Sequence, residues 1–237
     1  MQDLHGKTAL ITGGSRGIGL KTAQALADNG VNIAITGRNN ESLKDALLSL
    51  EKKDVKAIAI AGDVSKKEDV QHIVNEVLND FGQIDILINN AGIMGNGSFF
   101  DDNEDKFREM MNVNVFGMYY MMKAVLPGMQ EKNSGDVVNI ASVSGLRSSA
   151  SSALYAATKH AVIGLTEGVM HEVRKNNIRV QYLTPSAVLT DLIGKPDLDP
   201  QTMTHPEDIA DIIVNQLKIN PRTFVKNSEM WATNPHL

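Results

Sequence analysis

The chain predicts a three-layer, doubly wound α/β fold on a largely parallel seven-stranded sheet. Three observations carry the prediction. Short apolar runs alternate with amphipathic segments along all 237 residues. Most of those runs are continuously apolar, the pattern of strands covered on both faces. A glycine-rich turn separates the first strand-like run from the first helical one. Strand and helix alternating throughout imply parallel strands joined by helices on both faces.

The strand-like runs are 8–11, 31–36, 57–61, 84–88, 137–140 and 178–183, with a last one near 223–231. Among the helices the clearest places Val70, Ile73, Val74, Val77, Leu78 and Phe81 on one face. Ser65 and Glu68 open it as a capping-box pair. Over 107–129 apolar residues, from Met110 and Met111 through Val115, Phe116, Met118 and Tyr119 to Val125 and Leu126, occupy nearly every face. A helix apolar all round is buried all round. The helix over 154–173 carries a stripe of Ala157, Ala161, Gly164 and Gly168 that admits a second backbone closely. One sheet covers only one side of such helices. Burial between subunits, in a homodimer or homotetramer, is therefore favoured over packing within one subunit. After Pro206 a last helix carries Ile209, Ile212, Ile213 and Leu217. With no linker, repeat or low-complexity run, residues 1–237 read as a single domain.

Composition narrows the function. Lys and Arg number 23 against 28 Asp and Glu, a net charge of −5 that argues against a nucleic-acid partner. There is no cysteine, which excludes disulfides, thiolate chemistry and cysteine metal sites, and fits a reducing compartment. The start "MQDLHGKTALITGG" lacks the basic and apolar regions of a signal peptide. No apolar stretch approaches the ~20 residues that span a bilayer. A soluble cytoplasmic protein without a membrane partner is expected. His72, His160 and His171 show no metal-ligand spacing, so no metal is expected.

"ALITGGSRGIGLKTAQALA" puts a strand, a glycine turn and a helix in succession. Gly13, Gly17 and Gly19 sit where backbone turns tightly and approaches a ligand, and the helix start offers N–H groups suited to pyrophosphate. Further along, "YAATK" sets Tyr155 four residues before Lys159, on one helix face. A neighbouring ammonium favours phenolate over phenol, so Lys159 is expected to lower the Tyr155 pKa toward a working range.

The spacing of "TGGSRGIG", then "NNAG" (89–92), Asn114 in "NVNVFG", and Ser142 placed 13 residues before Tyr155 resemble the short-chain dehydrogenase/reductase family. The likeness runs in order from about 7 to 190 and implies a Rossmann-type dinucleotide fold. It implies that Tyr155 gives or takes the proton during hydride transfer and that Ser142 hydrogen-bonds the carbonyl oxygen. Lys159 would also hold the nicotinamide ribose, and Asn114 would anchor a water relaying protons to Lys159. A structural hydrogen bond to backbone is a competing role for Asn114, and both can hold. The cofactor set it implies is Gly13, Ser15, Arg16, Gly17, Ile18, Gly19, Arg38, Asn39, Asp63, Val64, Asn90, Ala91, Gly92, Tyr155, Lys159, Pro185, Val188 and Thr190. Asp63 and Val64 would hold adenine, and Thr190 the nicotinamide amide.

The second strand ends "AITGRNN", with Gly37 where NAD enzymes usually place an acid and Arg38 after it. The missing carboxylate removes repulsion, and Arg38, aided by Arg16, can clamp a 2′-phosphate. NADP(H) is favoured over NAD(H).

Substrate-side loops offer Ile93, Met94, Leu146, Val188, Leu189, Leu192 and Ile193, with Arg147 and Lys195 for an anion. Residues 189–204, punctuated by Pro196 and Pro200, read as a lid. The chain most resembles the bacterial 3-oxoacyl-acyl-carrier-protein reductases of the family, which implies a β-keto thioester substrate. It departs from them at Ser186, where Pro-Gly is common after the sixth strand, and in its ending "FVKNSEMWATNPHL". That ending is closer to relatives acting on small hydroxy acids, sugars or pterins. A catalytically silent cofactor sensor is a further alternative, opposed by Ser142, Tyr155 and Lys159 occurring together.

Overall fold

Continuous apolar runs form strands here because each faces two cores at once. A computed structural model describes residues 1–95, 97–101, 104–193 and 199–233. Among these, β1 (Thr8–Thr12), β2 (Asn32–Gly37), β3 (Ala57–Ala61), β4 (Ile86–Asn89), β5 (Gly135–Ile140), β6 (Ile178–Pro185) and β7 (Asn227–Met230) form one sheet. Its order is β3-β2-β1-β4-β5-β6-β7, and all pairings are parallel, where the sequence predicted a largely parallel sheet. On β4, Leu87 enters one core while Ile86 and Ile88 enter the other. Each such fully buried side chain stabilises by roughly 1.5–3 kcal/mol.

Helices α1 (Gly17–Ala27), α2 (Asn40–Leu50) and α7 (Pro206–Leu217) cover one face, through Leu26, Leu43 and Ile213 among others. Helices α3 (Lys67–Phe81), α5 (Met118–Lys132) and α6 (Ala153–Val173) cover the other through Ile73, Met121 and Val162. A short α4 (Glu104–Met111) precedes α5. Among the described residues no helix is long and apolar enough to cross a membrane.

Three sequence expectations need correction. The capping box is absent: α3 starts at Lys67, and its N-cap Lys66 makes no side-chain cap bond. Ser65 instead turns back, its amide and hydroxyl both donating to Asp63 Oδ1 at 3.0 and 2.7 Å. The continuous helix predicted over 107–129 is interrupted by a π-helical turn, Asn112–Gly117, between α4 and α5. Phe116 and Tyr119 are 44% and 38% exposed in the single chain, on the surface where burial between subunits is expected. Several strand ends also move: β1 extends to Thr12, β2 starts at Asn32 and runs to Gly37, β4 starts at Ile86 and runs to Asn89, β5 starts at Gly135, β6 runs to Pro185, and β7 is confined to Asn227–Met230.

Strand order reverses at β1, with β2 on one side and β4 on the other, so the carboxyl ends of β1 and β4 open a crevice where crossovers depart to opposite sides. Away from that crevice, near the starts of β5 and β6, Arg179 and Asp136 form a buried ion pair. Arg179 also donates to Leu217 O and Ile219 O, tying the C-terminal end of α7 to the sheet.

Candidate active site

The crevice is floored by the turn after β1. Gly13 and Gly17 have φ of +63° and +55°, which side chains other than hydrogen rarely adopt. A Cβ on Gly19 would stand 2.3 Å from Gly13 O, so the start of α1 approaches the turn as only glycine permits. Asn90 Nδ2 braces this turn from β4, donating to Thr12 O and Gly13 O at 3.0 and 3.1 Å. Thr12, which sequence reasoning missed, completes the brace: its Oγ1 accepts from Asn90 N and Ala91 N, both at 3.0 Å. The signal was a hydroxyl at the last position of an apolar strand.

These elements enclose a cavity of about 650 Å³. Of the predicted cofactor residues, Gly13, Ser15, Arg16, Gly17, Ile18, Arg38, Asn39, Asp63, Val64, Asn90, Ala91, Gly92 and Thr190 line it. Gly19, Tyr155, Lys159, Pro185 and Val188 do not; Gly19 underlies the turn, Tyr155 and Lys159 are buried further on, and Pro185 and Val188 are buried at and beyond the end of β6. The cavity also takes in Lys21, Ser42, Asp191 and Glu207, which the sequence did not mark. Arg16 at the N-cap of α1 makes no side-chain cap bond, which leaves first-turn N–H groups of this helix without a side-chain acceptor there. The residues present fit a dinucleotide: glycines where a Cβ would collide, and a helix start for pyrophosphate.

At one end of the cavity, Gly37 leaves the end of β2 without a carboxylate, and a Cβ there would stand 3.7 Å from Ser15 Oγ. Arg38 lies beside this gap. Burial acts to raise the Asp63 pKa, but the Ser65 hydrogen bonds and the Arg38 and Lys66 charges outweigh it and hold the carboxyl below its usual value. Asn39 Oδ1 is committed to capping α2, accepting from Ser42 N at 2.9 Å. Arg16 is not a free second cation: its Nη1 pairs with Asp191 Oδ2 at 3.0 Å across the cavity mouth, an exposed contact worth about 0–1 kcal/mol.

Beyond Gly92 lie the chemical groups. Ser142 follows β5 and caps a short 3₁₀ turn, its Oγ accepting from Ser144 N at 3.2 Å. Tyr155 and Lys159 face the same side of α6, 7% and 6% exposed. Lys159 Nζ donates to Ile140 O at 2.9 Å and lies 5.7 Å from the Tyr155 ring centroid. Burial pushes the Tyr155 phenol up to about 12, against a hydrogen bond with Ser142 that acts to lower it. Burial also brings Lys159 down to about 8. The expectation that Lys159 draws the phenol down is thus corrected. In the folded chain its amine is spent on a β5 carbonyl, and desolvation of the phenol dominates.

Asn114 sits within the π-helical turn, 3% exposed. Its Oδ1 accepts from Ile93 N at 2.8 Å, and Nδ2 donates to Ile93 O at 2.9 Å and Thr158 Oγ1 at 3.1 Å. The structural role weighed for it is present. A Cβ on Gly92 would lie 3.3 Å from Asn114 Oδ1 and 3.8 Å from Lys159 Nζ, so both groups flank one glycine of the cavity wall. On the substrate side Arg147, itself exposed, pairs through Nη1 with Glu229 Oε1 at 2.6 Å. Lys195 and Pro196 lie outside the described residues.

Known proteins resemble this chain in sequence and fold. The family described as short chain dehydrogenase matches residues 7–200. An uncharacterized oxidoreductase of Staphylococcus saprophyticus is 37% identical over 220 residues, covering 92% of this chain and 94% of the relative. The structure of an alcohol dehydrogenase from the archaeon Thermococcus sibiricus, complexed with 5-hydroxy-NADP, superposes with a TM-score of 0.90 at 29% identity, covering 98% of this chain and 99% of that one. A NAD⁺-bound xylitol dehydrogenase gives 0.88 at 30% identity, with 98% and 100% covered. Matching most of its length to these oxidoreductases, the chain belongs to the short-chain dehydrogenase family.

Proposed function

We propose that this chain catalyses the NADP(H)-dependent interconversion of a carbonyl and a secondary alcohol. The observation that carries the reading is the meeting of half-buried Ser142 with buried Tyr155 and Lys159 beside a cavity built from the glycine turn. Bound nicotinamide supplies or accepts the hydride. The protein's part is to manage the oxygen. Tyr155, with its phenol raised to about 12, keeps its proton at neutral pH and can donate it from Oη as alkoxide charge develops on the substrate. Ser142 donates a hydrogen bond to that oxygen and stabilises the charge. Lys159, held at about 8, remains mostly an ammonium at neutral pH. It would hold the nicotinamide ribose, while Asn114 keeps a proton-relaying water beside it. The glycine turn, Asp63 and Val64 would hold pyrophosphate and adenine, and Thr190 the nicotinamide amide.

The preference for NADP(H) rests on Gly37 and Arg38: no carboxylate repels a 2′-phosphate, and a guanidinium is at hand. For the substrate, we favour a small carbonyl compound, hydroxy acid, sugar or pterin over a 3-oxoacyl thioester on a carrier protein. Arg147 is neutralised by Glu229 and so contributes no basic patch for an acidic carrier. The similarity to an alcohol dehydrogenase and a xylitol dehydrogenase supports the same direction. Residues 189–204 would act as a lid; 194–198 lie outside the described residues, Asp191 pairs with Arg16 of the glycine turn, and Leu189 N donates to Thr204 O at 2.9 Å. Exposed Phe116 and Tyr119, and the open faces of Gly164 and Gly168, support a cytoplasmic homodimer or homotetramer assembled through α5 and α6. Absent cysteine suits the reducing compartment.

The test is a panel of carbonyl compounds, an acetoacetyl thioester among them, offered with NADPH and NADH. Reduction of a small carbonyl with NADPH, lost in Tyr155→Phe, is expected. Full activity of Tyr155→Phe, or tighter binding of NADH than NADPH, overturns the mechanism or the cofactor preference respectively.

A further inference from the structure

Asn114 and Tyr155 belong to different helical segments, yet one buried hydroxyl joins them. Thr158 is 0% exposed. Its Oγ1 accepts from Asn114 Nδ2 at 3.1 Å and donates to Tyr155 O at 2.8 Å. Asn114 in turn grips the backbone of Ile93 on both sides, through N–H and C=O. An unbroken chain of hydrogen bonds therefore runs from the loop after β4, through the π-helical turn, to the first turn of α6.

We propose that Thr158 is a positioning residue for the reaction, acting through Asn114. This rests on the reading of Tyr155 as proton donor. Helix formation alone does not ask for threonine at position 158, since β-branching lowers helix propensity relative to alanine. Its hydroxyl is what the fold uses. Both protons of the Asn114 amide are placed, one on Ile93 O and the other on Thr158 Oγ1. Without that oxygen a buried N–H loses its acceptor, and the side chain must turn to find another. Asn114 Oδ1 and Lys159 Nζ flank the same glycine, Gly92, so such a turn changes what surrounds the ammonium. The same hydroxyl ties the π-helical turn to the carbonyl of the residue that carries the phenol. Thr158 thus sets the register between the element bearing Asn114 and the element bearing Tyr155 and Lys159.

Thr158→Val keeps the shape of the side chain and removes both hydrogen bonds, while Thr158→Ser keeps the hydroxyl. With NADPH and the carbonyl of the panel reduced fastest, Thr158→Val is expected to lower kcat roughly 10- to 100-fold, as a misplaced catalytic group does. The NADPH dissociation constant, read by cofactor fluorescence, and the substrate KM stay close to those of the parent. Thr158→Ser restores most of kcat. In an Asn114→Ala background Thr158→Val adds little further loss, because the two act as one unit. Hydrogen exchange at the Ile93 amide, which needs no turnover, speeds up in Thr158→Val and not in Thr158→Ser. If the valine variant fails to fold, Thr158→Ala carries the same comparisons. Parent-like kcat in Thr158→Val beside an inactive Tyr155→Phe overturns this inference alone, as do equal losses in valine and serine variants or additive losses with Asn114→Ala. Activity retained in Tyr155→Phe overturns the functional reading instead.

Discussion

Replacing Lys159 by methionine measures what the burial of an ammonium costs this fold. Lys159 is 6% exposed, and burial lowers its pKa from 10.5 to about 8. At about 1.36 kcal/mol for each tenfold change in proton affinity, that drop corresponds to roughly 3 kcal/mol of penalty carried by the charged form. The sign follows from proton counting. Between pH 8 and 10.5 the unfolded chain binds more protons at this position than the folded one, so stability rises with pH across that window. Below pH 8 the penalty is fully present; near 10.5 it has gone. Methionine fills similar space with no charge, and so lacks this dependence. It also leaves Ile140 O without its donor, a loss of roughly 1–3 kcal/mol that does not vary with pH. The absolute difference at one pH is therefore a balance of two terms, while its slope isolates one. Above pH 10 the Tyr155 phenol, raised to about 12, acts in the opposite sense, but it does so in both proteins. Denaturant unfolding of both proteins, at steps from pH 7 to 10, reads the difference directly. Parent stability should gain on Lys159→Met by up to about 1.4 kcal/mol per pH unit above pH 8. A difference that stays level, or falls, refutes the claim that a buried, charged amine stands at this position. Carbonyl reduction by the variant should be lost at every pH.

Three further outcomes follow from the same geometry. In Gly19→Ala the added methyl meets a backbone oxygen at 2.3 Å that no side-chain rotation relieves, so stability should fall by about 1–3 kcal/mol and NADPH binding should weaken; an unchanged unfolding midpoint and titration refute this. Arg38→Ala should weaken NADPH binding roughly 10- to 100-fold, the worth of a charge-assisted hydrogen bond, and leave NADH binding as it was; equal losses for both cofactors refute the 2′-phosphate role. Asp136→Asn breaks the buried pair with Arg179 and should cost about 3–5 kcal/mol in urea unfolding; a loss under about 1 kcal/mol would show the pair to be unimportant.

How far the site was legible depended on the distance along the chain over which each contact is made. Tyr155 and Lys159 meet because four residues bring a helix back to the same face, so sequence spacing suffices to place them together. The glycine turn is legible for the same reason, since its positive φ values and the approach of Gly19 to Gly13 O belong to residues within seven positions of one another, whereas its contacts with Ile35, Asn90 and Ala91 come from distant segments. The Ser65 cap was misread although it too is local. Asp63, two residues earlier, offers a carboxylate that competes for the same hydroxyl and amide, and a short charged acceptor won. The π-helical turn left no mark in the apolar pattern, which suits an uninterrupted helix equally well.

From the order of its residues alone, this chain determined a parallel sheet with two cores, a glycine-built crevice after the first strand, and a tyrosine and lysine on one helical face. Those are consequences of periodicity and backbone sterics, which act over a few residues. Tertiary structure alone decided the charges and partners. Arg16 finds Asp191 across 175 residues and Arg147 finds Glu229 across 82, and so two cations expected to meet ligands are already engaged. Burial, which no short stretch specifies, raises the Tyr155 phenol and lowers the Lys159 amine. Thr158 acquires its place between Asn114 and Tyr155 only when the π-helical turn folds against α6. Proton affinity and hydrogen-bond partnership depend on what surrounds a group in space, and that environment exists only once distant segments have packed together.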